Sequence, residues 1–182
     1  MKRFLILLTA AILALAAACT AAADGLTFSN KYFSLQLPDN WEIDTEDLET
    51  KEGEETLGYF GETSEIALVG AAYLVYYENL KDTALWNASE EELKEYTEAL
   101  LEDLADVKPE LVGTVNAGRI PLVLIKGSDS DGEFLYADTV TNGYAIEFEF
   151  YVTDTEGEKQ YPITEEHIEQ VRKILSTFQP AA

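Results

Sequence analysis

The sequence predicts an α+β fold in which helices pack on the faces of an antiparallel β-sheet. Three observations carry this prediction. Most of the chain after residue 25 reads as short strands separated by turn residues, two segments show helix start signals followed by apolar stripes, and Asn142-Gly143 lies between two apolar strands. Asn-Gly is typical of a two-residue hairpin turn, which joins antiparallel neighbours. The predicted sheet is therefore antiparallel.

The first half of the chain is predicted to contain five strands. A strand pair turns at Asn30-Lys31, and a long apolar run has the continuity of a central strand covered on both faces. Gly70 inside that run indicates a bulge or a close backbone contact. The segment 42–55 holds eight carboxylates and one lysine, which predicts a solvated loop or a ragged sheet edge. The predicted strands are residues 26–29, 32–37, 41–43, 57–60 and 66–77.

Two helices are predicted from their start signals. The first begins at Ser89, where Ser-x-x-Glu forms a capping box with Glu92, and an apolar stripe follows it as far as Leu104. The second begins at Thr164, with Ile163 and Ile168 placed as a hydrophobic staple, and its apolar stripe runs to Phe178. Both helices are expected to lie on apolar surface.

A four-stranded meander is predicted between the helices, over residues 111–116, 120–126, 133–141 and 144–153. The Asn-Gly turn sets the register of the last two strands, so that Asp138 lies directly opposite Glu147. Like charges in that position destabilise a sheet. We favour the interpretation that this sheet face is wet and that water screens the repulsion. The alternative is a cation site in which Asp138, Glu147 and Glu149 supply the oxygen ligands that Ca²⁺ accepts.

Two further patterns carry alternative interpretations. Asp129-Ser130-Asp131-Gly132 matches part of a calcium-binding loop, but Gly127 stands where the first aspartate belongs, so a polar hairpin turn is favoured. Six aromatic residues cluster in the sequence and would line a groove for a sugar or peptide if several of them were exposed together. Core and sheet packing is the favoured use. They are Tyr59, Phe60, Tyr73, Tyr76, Tyr77 and Trp86.

No catalytic residue is predicted. His167 is the only histidine and Cys19 the only cysteine. A Cys-His pair and a His/Cys zinc cluster are therefore excluded in the mature domain, and His167 reads as a surface residue in the first turn of a helix. The glycine-rich phosphate-binding motifs G-x-x-x-x-G-K-[ST] and G-x-G-x-x-G are both absent from the sequence. Hydrolysis by carboxylates alone stays open, but we expect no enzyme and no cofactor, with Ca²⁺ as the alternative ligand.

The N-terminal segment has the pattern of an export signal. Lys2 and Arg3 precede an apolar run that ends before Cys19, and the run is shorter than a membrane-spanning helix requires. We favour a lipoprotein signal over residues 1–18, with Cys19 as the lipidated N-terminus, a short tether over 19–25 and one domain over 26–179. The alternative is cleavage after Ala23, which would release a secreted or periplasmic soluble protein.

The charge of the mature chain limits its partners. The whole sequence carries 12 basic and 35 acidic side chains, and loss of Lys2 and Arg3 brings the formal charge to about −25. Such a domain repels nucleic acid, so we expect no nucleic-acid partner. Cations and basic proteins remain suitable partners.

The segment 32–41, with the sequence YFSLQLPDNW, and the closing helix over 168–178 resemble the PsbP-like family. This resemblance implies an α/β/α sandwich around an antiparallel sheet, with non-catalytic binding or assembly duties and no transferable site residue. We therefore expect an exported, lipid-anchored adaptor or assembly factor that binds an envelope protein at a bacterial membrane. An extracytoplasmic protein that binds Ca²⁺ or a small ligand is the alternative.

Overall fold

The computed structural model describes residues 25–46, 48–157 and 159–181. The predicted signal peptide over 1–18, the lipidation site Cys19 and nearly all of the 19–25 tether lie outside the described residues. Within the described ranges, no helix is long and apolar enough to cross a membrane.

Twelve strands, two α-helices and three short 3-10 helices occur in the described residues. Helix α1 spans Glu90–Asp103 and helix α2 spans Glu165–Ser176. The strands in chain order are β1 Leu26–Ser29, β2 Phe33–Leu37, β3 Trp41–Asp44, β4 Thr50–Lys51, β5 Glu54–Glu62, β6 Ile66–Tyr76, β7 Glu110–Ala117, β8 Ile120–Ser128, β9 Glu133–Thr141, β10 Tyr144–Asp154, β11 Gln160–Tyr161 and β12 Gln179–Pro180.

The strands form two sheets, and every strand pair in them is antiparallel. The larger sheet has the order β3-β5-β6-β10-β9-β8-β7, with β4 added to β5 and β11 added to β10. The smaller sheet has the order β1-β2-β12, and the amide of Ala181 continues it by donating to the carbonyl of Tyr32 at 2.6 Å. The predicted α+β class with an antiparallel sheet is confirmed.

The register predicted from the Asn-Gly turn is also confirmed. Asn142 and Gly143 both have positive φ, at 52° and 82°, as a type I′ turn requires. Thr141 pairs with Tyr144, and three pairs further along the ladder Asp138 pairs with Glu147 on the neighbouring strand β10. The turn chemistry alone therefore placed the two carboxylates side by side.

The two helices cover opposite faces of the large sheet. Successive side chains of a strand point to opposite faces. In β10, Phe148 and Phe150 join the main core with the buried face of α2, whereas Ala145 joins a second apolar cluster with Leu93 of α1. Glu147 alternates with the phenylalanines and therefore faces the α1 side.

One local expectation is corrected by the structure and another is confirmed. The acidic segment 42–55 is more ordered than a solvated loop, because β3, β4 and the start of β5 pair along the sheet edge and Gly53 turns between the last two with φ at 83°. Gly70 marks a close contact, as predicted, since a Cβ there would meet the rings of Phe60 and Phe150. The register shifts lie elsewhere, in β5 and β7.

Candidate functional site

The acid pair, Asp138 and Glu147, is the first candidate. Asp138 is 1% exposed and Glu147 9% exposed, so the predicted wet sheet face is wrong at this point. Helix α1 lies over the pair and removes it from water, with Tyr96 contacting Asp138 directly. The repulsion between the two carboxylates is consequently not screened by solvent, and other groups must compensate for it.

Three tyrosine hydroxyl groups donate hydrogen bonds to the acid pair. Tyr96 of α1 donates to Oδ2 of Asp138, and Tyr77, just after β6, donates to Oε1 of Glu147 at 2.7 Å. Tyr136, which lies on β9 two residues before Asp138, also donates to Glu147. The remaining oxygen of Asp138, Oδ1, is buried and has no hydrogen-bond partner among the described residues. Tyr96 and Tyr136 were not singled out from the sequence as partners of the acid pair.

Burial dominates the electrostatics of the acid pair. It raises the pKa of Asp138 to about 8, and the Glu147 carboxylate adds to the rise while the hydrogen bond from Tyr96 opposes it. Burial also raises the pKa of Glu147, against the hydrogen bonds from Tyr77 and Tyr136. The pKa values of Tyr77 and Tyr96 are raised by burial and by these carboxylates, so both hydroxyls keep their protons and act as donors.

The third predicted calcium ligand, Glu149, lies near the acid pair and bonds a neighbouring tyrosine. It is half-buried on the same face of β10, and its Oε2 accepts a hydrogen bond from Tyr151 at 2.7 Å. Across the described residues, no group of three or more His, Cys, Asp or Glu side chains is arranged to hold a metal ion. Calcium binding by Asp138, Glu147 and Glu149 stays a prediction.

The second candidate is an exposed group of aromatic residues, here called the aromatic end. It consists of Tyr76, Tyr77 and Tyr144 beside the β9–β10 turn, together with Trp86, whose chain segment is bonded to that turn at Thr83. Trp86 and Tyr144 are each 52% exposed, Tyr76 is 42% exposed and Tyr77 is 37% exposed. The predicted packing role is therefore wrong for Tyr76, Tyr77 and Trp86. It holds for the buried Phe60, while Tyr59 and Tyr73 are half-buried.

The aromatic end has a fixed backbone. The amide of Tyr77 donates to the carbonyl of Gly143 at 2.8 Å, and that of Asn142 donates to the carbonyl of Thr83 at 2.7 Å. The rings of Tyr76 and Tyr144 lie 5.1 Å apart between centroids, at an interplanar angle of 50°. These bonds attach the segment that carries Trp86 to the same turn that carries Tyr144.

A shallow cleft of about 230 Å³ opens beside the Tyr76 and Tyr144 rings. Its other lining residues include the acidic Glu54 and Glu55, and Glu78 accepts a hydrogen bond from the hydroxyl of Tyr76 at 2.6 Å. Apolar ring faces next to carboxylates suit a cationic or amphipathic group. Tyr77 belongs to both candidate sites, because its ring is partly exposed while its hydroxyl bonds Glu147.

The other polar residues considered from the sequence have local structural roles. His167 accepts a hydrogen bond at Nδ1 from the amide of Thr164, at 3.1 Å, and so completes a capping box at the start of α2. In the β8–β9 turn, Oδ1 of Asp129 accepts from the amides of Asp131 and Gly132, which confirms the polar hairpin turn predicted there. His167 therefore lies in the first turn of α2, as the sequence indicated.

Comparison with known proteins finds likeness at the level of fold. No protein-family model matches the chain, and no curated protein matches it. The solution structure of cyanobacterial PsbP (CyanoP) from Synechocystis sp. PCC 6803 is similar at 12% sequence identity and a TM-score of 0.46, covering 91% of this chain and 97% of that chain. The likeness is one of fold alone.

A second solved structure is also similar. It is a crystal structure of a protein from Bacteroides thetaiotaomicron VPI-5482, with 13% sequence identity and a TM-score of 0.45. The match covers 88% of this chain and 50% of that one. The present chain thus spans about half the length of that protein.

Proposed function

We propose that this protein is a non-catalytic binding protein that acts as an adaptor or assembly factor at the cell envelope, held to a bacterial membrane by a lipid on Cys19. The observation that carries the proposal is the aromatic end. Four large aromatic side chains are exposed at or near one turn of the large sheet, and exposed aromatic residues that lie together are characteristic of protein interaction surfaces.

The charge of the domain supports a basic partner. Acidic side chains far outnumber basic ones in the whole chain, and Glu54, Glu55 and Glu78 lie at the aromatic end. A positively charged surface would be steered towards such a domain, and tyrosine or tryptophan faces would then supply apolar contact and cation–π interaction. The partner expected here is a protein that presents lysine or arginine beside an apolar surface.

Site-specific photo-crosslinking in cells tests this proposal. A photoreactive residue at position 144 should capture one envelope protein, whereas the same residue at position 66 should not. Ile66 is a matched control because it is 51% exposed, lies at the other end of β6 from Tyr76 and is also a large apolar side chain. Cys19→Ala in parallel should weaken the capture by removing the anchor.

Two results would overturn the proposal. Equal capture from positions 144 and 66 would mean that the aromatic end is not the docking surface. No specific capture from either position, with the full-length protein still in the membrane fraction, would favour the second candidate, a binder of a cationic small ligand. The cleft between the tyrosine rings and Glu54 is the observation that favours that candidate, and titration of a quaternary ammonium compound against tyrosine fluorescence would measure it.

A further inference from the structure

The two carboxyl groups of the acid pair are buried and have no positively charged partner among the described residues. The ion pairs between described residues involve other carboxylates, and none reaches Asp138 or Glu147. Two ionised carboxylates on adjacent strands, both out of water and without a positive partner, repel strongly. Buried acids in that position commonly become neutral by taking up a proton.

The hydrogen bonds show which atom lacks a donor. Glu147 receives two tyrosine hydroxyls and Asp138 receives one at Oδ2, so both carboxylates have donors from the protein. Oδ1 of Asp138 has none, although it is buried. An unpartnered buried oxygen carries a desolvation penalty that is larger when the carboxyl group is charged, so a proton bound at that oxygen would reduce the penalty.

We propose that the acid pair binds one proton at neutral pH beneath helix α1, and that loss of this proton loosens α1 from the sheet. The inference goes beyond the proposed adaptor role, because it concerns the domain alone. While the proton is bound, one carboxyl group of the acid pair is neutral, so Asp138 and Glu147 no longer repel each other as like charges. Its loss leaves two negative charges beneath the helix.

The groups that face the acid pair from each neighbouring element are neutral or acidic. Tyr73 of β6 pairs directly with Glu147. Tyr96 faces the acid pair from α1, Tyr77 from the segment after β6 and Tyr136 from β9. Glu149 of β10 and Glu54 of β5 act on it as negative charges. Tyr77, Tyr96 and Tyr136 keep their protons, because burial and the carboxylates raise their pKa values. No neighbour therefore offers a positive charge in place of the proton.

Helix α1 is the element that would respond. Among its residues only Thr97 is buried, and its apolar residues such as Leu93 are half-buried, whereas α2 buries four apolar side chains in the main core. The sheet itself is held on both sides of β10 by long ladders to β6 and β9. Elements with few buried contacts open most readily. Six glutamates on α1 add repulsion once the pair is ionised. They are Glu90, Glu91, Glu92, Glu95, Glu98 and Glu102.

Infrared spectroscopy of the full-length protein tests whether the proton is present. A buried carboxylic acid gives a C=O stretching band that an ionised carboxylate lacks. We expect this band in the wild type at pH 7 and its loss as the pH rises to 10. Asp138→Asn should remove the band, and the matched control Glu98→Gln, at an exposed position on α1, should leave it unchanged. A wild type without the band at pH 6 to 7 would overturn the proposal.

A second variant keeps the test informative if Asp138→Asn does not fold. Tyr96→Phe retains the ring and removes the hydroxyl that favours the ionised form of Asp138. The infrared band should then persist to higher pH than in the wild type, because loss of that hydrogen bond raises the pKa of the acid. An unchanged or lower midpoint would contradict the assignment of the proton to this pair.

Hydrogen exchange tests the loosening of α1. Protection factors over 90–103 should fall at least tenfold relative to those over 165–176 when the pH rises from 7 to 10, and Asp138→Asn should keep its α1 protection. Protection that changes in parallel in both helices would refute the link to α1. If 1 mM CaCl₂ restored α1 protection in the wild type at pH 10 while matched NaCl did not, calcium rather than a proton would be the ligand, and the proposal would fall.

Discussion

The stability of an Asp138→Asn variant should depend on pH differently from that of the wild type. Burial raises the pKa of Asp138 from 3.8 to about 8. Between these two values the folded protein holds a proton that the unfolded chain has released, so the free energy of unfolding of the wild type falls as the pH rises. Below the lower value both states are protonated, and above the upper value the full loss has occurred. Asparagine has the same shape and no proton to lose.

The expected magnitude follows from one proton. Each pH unit in this window changes the free energy of unfolding by about 1.4 kcal/mol. Between pH 5 and pH 7 the variant should therefore gain about 2.7 kcal/mol relative to the wild type, since two pH units are covered. Self-repulsion among the many other carboxylates is the same in both proteins and cancels in the comparison.

Urea unfolding at pH 5, 6, 7 and 8 and constant ionic strength measures this difference. Fluorescence of Trp41 reports on the core, because that residue is 3% exposed. Glu98→Gln, which removes an exposed charge from α1, controls for the change in net charge. A variant that differs from the wild type by the same amount at every pH would show that Asp138 binds no extra proton in the folded state, and the electrostatic reasoning would be refuted.

Two further predictions concern the framework around the site. Gly70→Ala should destabilise the domain by about 1–3 kcal/mol, because the new methyl group meets the rings of Phe60 and Phe150; a loss below about 0.5 kcal/mol in urea unfolding would mean that these rings move aside freely. Ser89→Ala should lower stability by about 1 kcal/mol by removing the cap of α1. Ser130→Ala, at an exposed turn position, should change the urea midpoint little, and equal losses from the two serine variants would argue against the cap.

The fold was predictable where local chemistry decides it. Asn142-Gly143 accepts positive φ at both positions, so the register of β9 and β10 followed from two residues. The capping box at Ser89 likewise marked the start of α1. These signals act over a few residues, and tertiary contacts did not override them.

The candidate site was predictable only in part, because its properties depend on which surface each element covers. Sequence pattern showed that α1 has an apolar stripe containing Tyr96, but it did not show that the stripe lies over Asp138. The expectation of a wet face failed for that reason. Tyr144 next to the turn was likewise overlooked, although a tyrosine that flanks a two-residue turn at the end of a sheet has little surface to pack against.

The small sheet determines how mechanical tension would enter the domain. Strand β1 is one of its two edge strands. Strand β2 is held between β1 and β12 and is tied to the end of α2 by the amide of Gln36, which donates to Oγ1 of Thr177 at 2.9 Å. A force applied at residue 25 therefore acts first on the four residues of β1. The main resistance is Phe28, whose ring is buried against Phe33 and Phe60. Strand β1 would detach first, at a force too small to unfold the nine-stranded sheet that carries both candidate sites.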